Sequence, residues 1–201
     1  TTAQIMERER QFGPGTPGAQ TRNQARGPIT AVQRPPNPTS AAVSQGLTAS
    51  PKARRKAAVT TTTAPAQSLG LSFTGATLAD TAAFPPDSMG AIGPSQFLVG
   101  VNGRVRSFNK QAGAADGVLD VTTDVFFRSV MAPPGTGEVT FTSDPRVRYD
   151  RLSSRWYVIM IDLTVDAKGP PTRANRVLLA VSSGPTLTPG TGWTLFYFQP
   201  T

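Results

Sequence analysis

Residues 96–108 read QFLVGVNGRVRSF, so Asn102-Gly103 separates two runs that contain apolar residues. Asn-Gly is the strongest short signal for a β-hairpin, because both central residues of a type I′ turn need a positive φ. Counting outward from the turn predicts three cross-strand pairs: Val101 with Arg104, Val99 with Arg106, and Phe97 with Phe108. The sequence therefore predicts two antiparallel strands in this register.

The chain after this hairpin continues as short β-like segments with turn signals between them. Strands are predicted at 125–127 and 138–142, followed by four closely spaced runs at 145–150, 155–162, 176–183 and 192–199. These four runs make one antiparallel sheet, and the less regular region from about 90 to 142 makes another. RWYVIMID at 155–162 is nearly all apolar, which predicts a central strand covered on both faces.

Two further patterns concern which side chains share a face. Alternation within PRVRYD, residues 145–150, places Val147 and Tyr149 on one face and Arg146 and Arg148 on the other. Large aromatic residues downstream are predicted to form core or subunit contacts in preference to a sugar-binding platform: Trp156, Trp193, Phe196, Tyr197 and Phe198.

These segments predict an all-β fold. Two successive antiparallel sheet units over residues 70–201 indicate radial repetition, resembling about two blades of a β-propeller. A β-sandwich built from the same strands is the alternative. The β-domain follows residues 1–69, which have a different composition.

Residues 1–69 form a long basic arm rich in Pro, Gly and Thr. Residues 11–69 show no hydrophobic period and cannot bury enough apolar surface to offset the entropy of ordering. We therefore expect an arm that lies extended on a partner, and packing on its own domain is the alternative. TTAQIMERERQF at 1–12 could form a short helix that carries Ile5, Met6 and Phe12.

Most of the net charge of +8 lies in this arm, because nine basic residues up to position 69 are opposed by Glu7 and Glu9 alone. KARRK at 52–56 could contact an acidic protein groove or another anionic surface, or could be a solvated charge run. No aromatic residue lies among the basic residues of 13–69, which argues against nucleic acid. The predicted partner-binding residues are Arg22, Arg26, Arg34, Lys52, Arg54, Arg55 and Lys56.

The absence of two residue types limits the chemistry. The chain contains no Cys, which excludes disulfides and thiolate catalysis. It contains no His, so neither Ser-His-Asp catalysis nor a typical zinc site can be built within it. A carboxylate pair for glycoside hydrolysis is the remaining catalytic arrangement.

Two motifs resemble a family of bacterial secreted or cell-surface β-propeller proteins. PPDSMGAIGP at 85–94 is similar to the segment that precedes the first strand in that family. DPRVRYDRLSSRW at 144–156 is similar to a downstream element of the form Asp-Pro-x-x-x-Tyr-Asp-x-x-x-x-Arg-Trp. Propellers of this kind usually need at least six blades, so the resemblance implies the N-terminal portion of a longer protein. A small open sheet completed by a neighbour is the alternative.

Asp87 and Asp144 lie in these two motifs and are the candidate Ca²⁺ ligands, since hard cations favour oxygen. Capping of backbone N–H groups in turns is the alternative. No other cofactor is expected. The remaining aspartates considered are expected to be solvated loop charges: Asp116, Asp120, Asp124, Asp162 and Asp166.

The function expected from these patterns is that of a non-enzymatic structural or accessory subunit in a larger extracytoplasmic protein assembly, in the periplasm or at the cell surface. A membrane protein complex is among the assemblies considered. The extended arm would anchor the β-domain there. Two alternatives stay open: a virion coat or decoration protein with a basic arm, and a glycan-binding or glycan-active propeller fragment. For the latter, a sialidase-like site would need Arg146, Arg148 and Tyr149 together, although alternation separates the tyrosine from the arginines.

Overall fold

The structure is a computed structural model that describes residues 1–12 and 70–199. These residues form an all-β fold with little helix, in which two four-stranded antiparallel sheets follow each other along the chain. Sheet 1 contains β1 (Met89–Ile92), β2 (Gln96–Val101), β3 (Arg104–Asn109) and β4 (Ala115–Val121). Sheet 2 contains β5 (Val139–Asp150), β6 (Arg155–Val165), β7 (Val177–Ser182) and β8 (Trp193–Phe198). The helices are α1 (Thr2–Phe12), α2 (Leu78–Thr81) and α3 (Thr123–Phe127).

The predicted hairpin is confirmed as β2 and β3, with Val101, Val99 and Phe97 paired as the turn position requires. The turn itself differs from the prediction. Gly103 has a φ of 88°, but Asn102 lies outside the positive-φ region, which is inconsistent with a type I′ turn. The reason lies outside the hairpin, because the Asn102 backbone N–H donates to the Pro86 carbonyl and its side chain is held by neighbouring segments.

The boundary between the sheets also differs from the prediction. The runs at 138–142 and 145–150 are one long strand, β5, whose register shifts between Ser143 and Arg146. Pro145 lies within this irregularity, where a residue without an N–H costs the sheet little. Sheet 1 therefore ends at β4, and residues 138–142 belong to sheet 2.

The strand predicted at 125–127 is wrong, because these residues form the end of α3. Val125, Phe126 and Phe127 are three successive buried side chains. A strand would direct alternate residues to opposite faces, whereas one turn of a helix can place all three side chains against the core. The Phe126 N–H donates to the Thr122 carbonyl and closes this turn.

The two sheets share a core formed by the inner face of each. Leu98, Val105 and Leu119 contribute from sheet 1, and Trp156, Val158, Met160 and Leu178 contribute from sheet 2. Full burial of such a side chain contributes roughly 1.5–3 kcal/mol, so this layer is the main source of stability. β6 is central in sheet 2, as predicted, but only one of its faces is fully covered, because Ile159 remains 37 % exposed.

The first twelve residues pack on the β-domain and are not extended, in contrast to the arm expected over 1–69. The short helix considered for residues 1–12 is present as α1. Its first N–H groups find acceptors in the loop before β8: Thr2 N donates to the Thr191 carbonyl and Ala3 N to the Pro189 carbonyl, both at 2.8 Å. Ile5 is buried in the shared core.

The rest of the predicted arm, residues 13–69, and with it all seven predicted partner-binding residues, lies outside the described residues. Within residues 1–12 and 70–199, no helix has the length and apolar character needed to span a membrane.

Candidate functional site

The two motifs that resemble a propeller family meet at Asn102, a buried residue in the β2–β3 turn. Its Nδ2 donates to the Pro85 carbonyl at 2.9 Å and to Asp87 Oδ2 at 2.8 Å. Its Oδ1 accepts from the backbone N–H of Asp144 at 2.9 Å. One amide side chain thereby joins residues 85–87 to the bulge of β5 and connects the two sheets.

Asp87 and Asp144 both contact Asn102, but through different groups. Asp87 contributes its carboxylate and Asp144 its backbone N–H. Both have a positive φ, 44° and 58°, which is typical of Asp in turns. In the described part of the chain, no three His, Cys, Asp or Glu residues are grouped so that they could hold a metal ion. The two carboxylates accept from side chains, Asp87 from Asn102 Nδ2 and Asp144 from the Ser143 hydroxyl. Capping of backbone N–H groups and Ca²⁺ ligation by this pair both stay predictions.

A second contact between the motifs explains one of their glycines. Gly93 lies directly against the indole of Trp156, and an added Cβ would overlap the ring. Trp156 is fully buried and donates from Nε1 to the Pro185 carbonyl at 2.8 Å. Gly100 similarly faces Val147 of β5, where an added Cβ would lie 2.7 Å from Cγ2. The sheets can approach this closely only because these two positions lack side chains.

The outer face of sheet 1 carries a network of charged side chains. Arg104 Nε lies 2.6 Å from Asp120 Oδ1, and its Nη1 lies 3.2 Å from Glu9 Oε1 of α1. Arg106 Nε lies 2.9 Å from the same oxygen of Asp120, and its Nη2 lies 3.1 Å from Asp80 Oδ1. Two arginines of β3 thus bind α1 and α2 to sheet 1 and pair with Asp120 of the neighbouring strand β4.

The pKa values within this network follow from its geometry. Hydrogen bonds from the hydroxyl and the backbone N–H of Thr77, followed by the Arg106 guanidinium, lower the pKa of Asp80 to about 2. Burial by itself lowers the pKa of Arg106, but the carboxylates of Asp120 and Asp80 outweigh it, so the pKa of Arg106 is raised. Both groups are therefore charged at neutral pH, and the network is a structural one.

The prediction that five aspartates are solvated loop charges is wrong for most of them. Asp162 is buried and accepts hydrogen bonds from the backbone N–H groups of Ala132 and Arg176. Asp124 accepts from the backbone and hydroxyl of Thr142, Asp116 accepts from Gln96 and Ser107, and Asp120 pairs with two arginines. Spacing gave no signal for these partners, because each lies on a different element.

The outer face of sheet 2 is apolar and exposed. In cross-strand register, Ile159 neighbours Leu179, which neighbours Phe196, and Ile161, Val177 and Phe198 form the next row. Exposure is 37 % for Ile159, 39 % for Val177, 45 % for Phe196 and 58 % for Phe198. No described segment covers these side chains. We call this surface the β6–β8 face and define it by Tyr157, Ile159, Ile161, Val177, Leu179, Val181, Phe196 and Phe198.

The β5 side of this face is cationic. Arg146 pairs in register with Ile159, and Arg148 with Tyr157. These four residues line a groove of about 450 Å³, together with Met89, Val147 and Asp150. The face therefore has an arginine-lined groove along one edge and a ridge of phenylalanines along the other.

Tyr149 does not take part in that groove. As predicted, it lies on the opposite face from Arg146 and Arg148, and its ring centroid is 4.9 Å from that of Trp156. The trio that a sialidase-like site would need is not assembled. Of the large aromatics, Trp156 is in the core and Trp193 packs against it, whereas Phe196 and Phe198 belong to the β6–β8 face.

The β6–β8 face was not predicted as a unit from the sequence. A signal was present, because β7 and β8 carry apolar residues at successive positions and not at alternate positions only. Such strands have two apolar faces, and both need a cover. Comparison of the chain with family models, with curated proteins and with solved structures finds no match.

Proposed function

We propose that this chain is a non-enzymatic structural subunit of a larger extracytoplasmic protein assembly. In this proposal the β-domain docks through the β6–β8 face, and the basic arm of residues 13–69 makes a second attachment. The observation that carries the proposal is the face itself, four of whose apolar side chains are between 37 % and 58 % exposed. Contiguous apolar surface of this kind on a folded domain marks an interaction site.

The strand order supports two propeller blades over a sandwich. Each sheet consists of four consecutive strands in the order of the chain, β1 to β4 and then β5 to β8. Propeller blades are four-stranded meanders of this type, whereas the strands of many sandwiches cross between sheets in Greek-key connections. Blades stack face to face, so an outer blade with an apolar outer face calls for a further sheet against it. The extracytoplasmic location rests on the resemblance of the two motifs alone.

The contacts of the two motifs favour a role in architecture. Asn102, Gly93 and Trp156 are used to join sheet 1 to sheet 2. The charged groups of β3 are used to hold α1 and α2. The most specific parts of the sequence thus build the body that presents the β6–β8 face.

The experiment compares native complex size in extracts of the producing cells. We expect the wild-type chain to sediment in a complex larger than two copies. Phe198→Glu places a charge on the β6–β8 face and should release the chain, whereas Leu152→Glu is the matched control because Leu152 is 97 % exposed in the β5–β6 turn. Joint replacement of Lys52, Arg54, Arg55 and Lys56 by Gln tests the arm. Wild-type chain that sediments alone or as a dimer would overturn the proposal.

A further inference from the structure

We propose that the β6–β8 face binds a second copy of this chain. Sheet 2 of one copy then packs face to face on sheet 2 of the other, around a two-fold axis parallel to the strands. This inference rests on the proposed function, because it names one occupant of the same face. It rests further on the complementary character of β5 and β8, the two edge strands of sheet 2, which are separated by β6 and β7.

The first step concerns what each edge offers. The β5 edge presents Arg146 and Arg148 beside a groove of about 450 Å³. The β8 edge presents Phe196 and Phe198, which are 45 % and 58 % exposed. A guanidinium group attracts the face of an aromatic ring within about 6 Å, and the attraction grows when both are removed from water. Arg146 in the groove and Phe196 on the ridge are therefore complementary in charge character.

The second step concerns symmetry. The order of sheet 2 is β5-β6-β7-β8, so the groove and the ridge lie on opposite sides of β6 and β7. A two-fold axis along the strands places β8 of one copy over β5 of the other, twice in each dimer. An axis across the strands would place arginines over arginines. Only the first arrangement satisfies both edges.

The third step concerns register. Arg146 pairs with Ile159, Ile159 with Leu179, and Leu179 with Phe196. Arg146 and Phe196 thus lie in the same row across the sheet, and rotation about an axis parallel to the strands keeps that row aligned. The Phe196 ring of one copy then lies over the Arg146 groove of the other. Packed sheets lie about 10 Å apart, which suits interdigitation of these side chains.

The area of the β6–β8 face sets the strength of dimerisation. Each phenylalanine ring is about half exposed, so docking removes roughly 100 Å² from water per ring. The whole dimer interface then lies near the lower limit for specific interfaces, about 1,000 Å². We expect a dissociation constant in the micromolar range or weaker, and hence a dimer that dilution separates.

The test uses sedimentation of the full 201-residue chain from about 1 μM to about 1 mM, the range for an interface of this size. We expect a reversible monomer–dimer equilibrium. Phe196→Lys places a cation opposite Arg146 of the other copy and should raise the dissociation constant at least about thirtyfold. Adding Arg146→Glu to that variant should restore dimerisation to within about threefold of wild type, because each lysine then faces a glutamate. A chain that stays monomeric throughout, or a double variant that is no better than Phe196→Lys, overturns the inference.

Crosslinking tests the same geometry independently of affinity. Because the chain has no Cys, Arg146→Cys and Phe196→Cys can be made as separate single-thiol proteins. A short thiol crosslinker should join the mixture of the two and should join neither alone. Leu152→Cys is the control for random collision. Crosslinking between two copies of Arg146→Cys would indicate a two-fold axis across the strands and would overturn the arrangement.

The two proposals fail in different ways. A chain that is monomeric in solution yet enters a large assembly through the β6–β8 face would overturn the second copy as occupant and leave the proposed function standing. The occupant would then be a different polypeptide or another part of this one. A dimer that forms with the expected double-variant rescue, but occurs in no larger complex in cells, would support the inference and remove the proposed function.

Discussion

The outer faces of the two sheets are built from similar strands, but one is covered by other segments and the other is exposed. On sheet 1, Phe73 packs on Phe97 and Phe108 at centroid distances of 5.4 and 4.8 Å, and Gly75 lies against Val99. The arginines of β3 find three carboxylates beside this cover. On sheet 2, the β6–β8 face has apolar side chains in register and no cover among the described residues.

The difference lies in which segments cover each outer face. Residues 71–81 close the outer face of sheet 1 with an aromatic ring and an ion-pair network, which suits a surface that stays closed. Ion pairs also disfavour a second apolar sheet there, since docking would remove charges from water. The centre of the β6–β8 face is apolar, and Arg146 and Arg148 lie beside it on β5.

The largest expected effect concerns the inner contact that both sheets share. Gly93→Ala should lower the free energy of unfolding by about 3 kcal/mol, because the added Cβ overlaps the buried ring of Trp156 and that ring cannot move without disturbing the core. Gly184→Ala is the matched control, since nothing lies within 4 Å of its added Cβ. Urea denaturation measures both. Equal stability of the two variants would mean that the sheets do not pack as described.

A smaller effect separates the two outer faces directly. Phe73→Ala should cost about 2 kcal/mol, because it uncovers Phe97 and Phe108, whereas Phe198→Ala should stay within about 0.5 kcal/mol of wild type. Unfolding is followed in urea at low protein concentration, where any dimer is dissociated. If Phe198→Ala were as destabilising as Phe73→Ala, the contrast between the two outer faces would be wrong, since that result would indicate a cover on sheet 2 within the monomer.

The smallest effect is a pH dependence of stability that Asp80 contributes beside sheet 1. The pKa of Asp80 is about 2 in the folded chain and about 4 when unfolded, so its hydrogen bonds from Thr77 and its pairing with Arg106 stabilise the fold above pH 4. That contribution is lost as the pH falls from about 4 towards 2. The difference in unfolding free energy between wild type and Asp80→Asn should therefore be constant above about pH 5 and shrink below pH 4. A titration midpoint near 4 for Asp80, measured by NMR, would contradict the described network.

Local patterns predicted a large part of the fold. Asn102-Gly103 predicted the hairpin and its register, because a two-residue turn leaves one way to pair the strands. Apolar runs predicted β6, β7 and β8, because runs of that length and type are typical of strands. They failed at α3, where three successive buried residues fit a strand or a helix equally well until the surrounding core is known.

The candidate site was less predictable. Asp87 and Asp144 were found as a pair from their motifs, but Asn102, which joins them, is marked in the sequence only as a turn residue. Asp162 was expected in solvent and is buried, because its two N–H donors come from segments 30 and 14 residues away. Hydrogen-bond partners at such separations leave no local trace.

By itself, the sequence determined that the β-domain is antiparallel, where its hairpin turns, and that no Cys or His chemistry is available to it. Tertiary structure alone decided which face of each sheet is covered. The physical reason is that a period of two residues assigns side chains to two faces, but the cover of a face comes from segments that are distant along the chain. For sheet 1 that cover is residues 71–81, and the β6–β8 face of sheet 2 is left apolar and exposed.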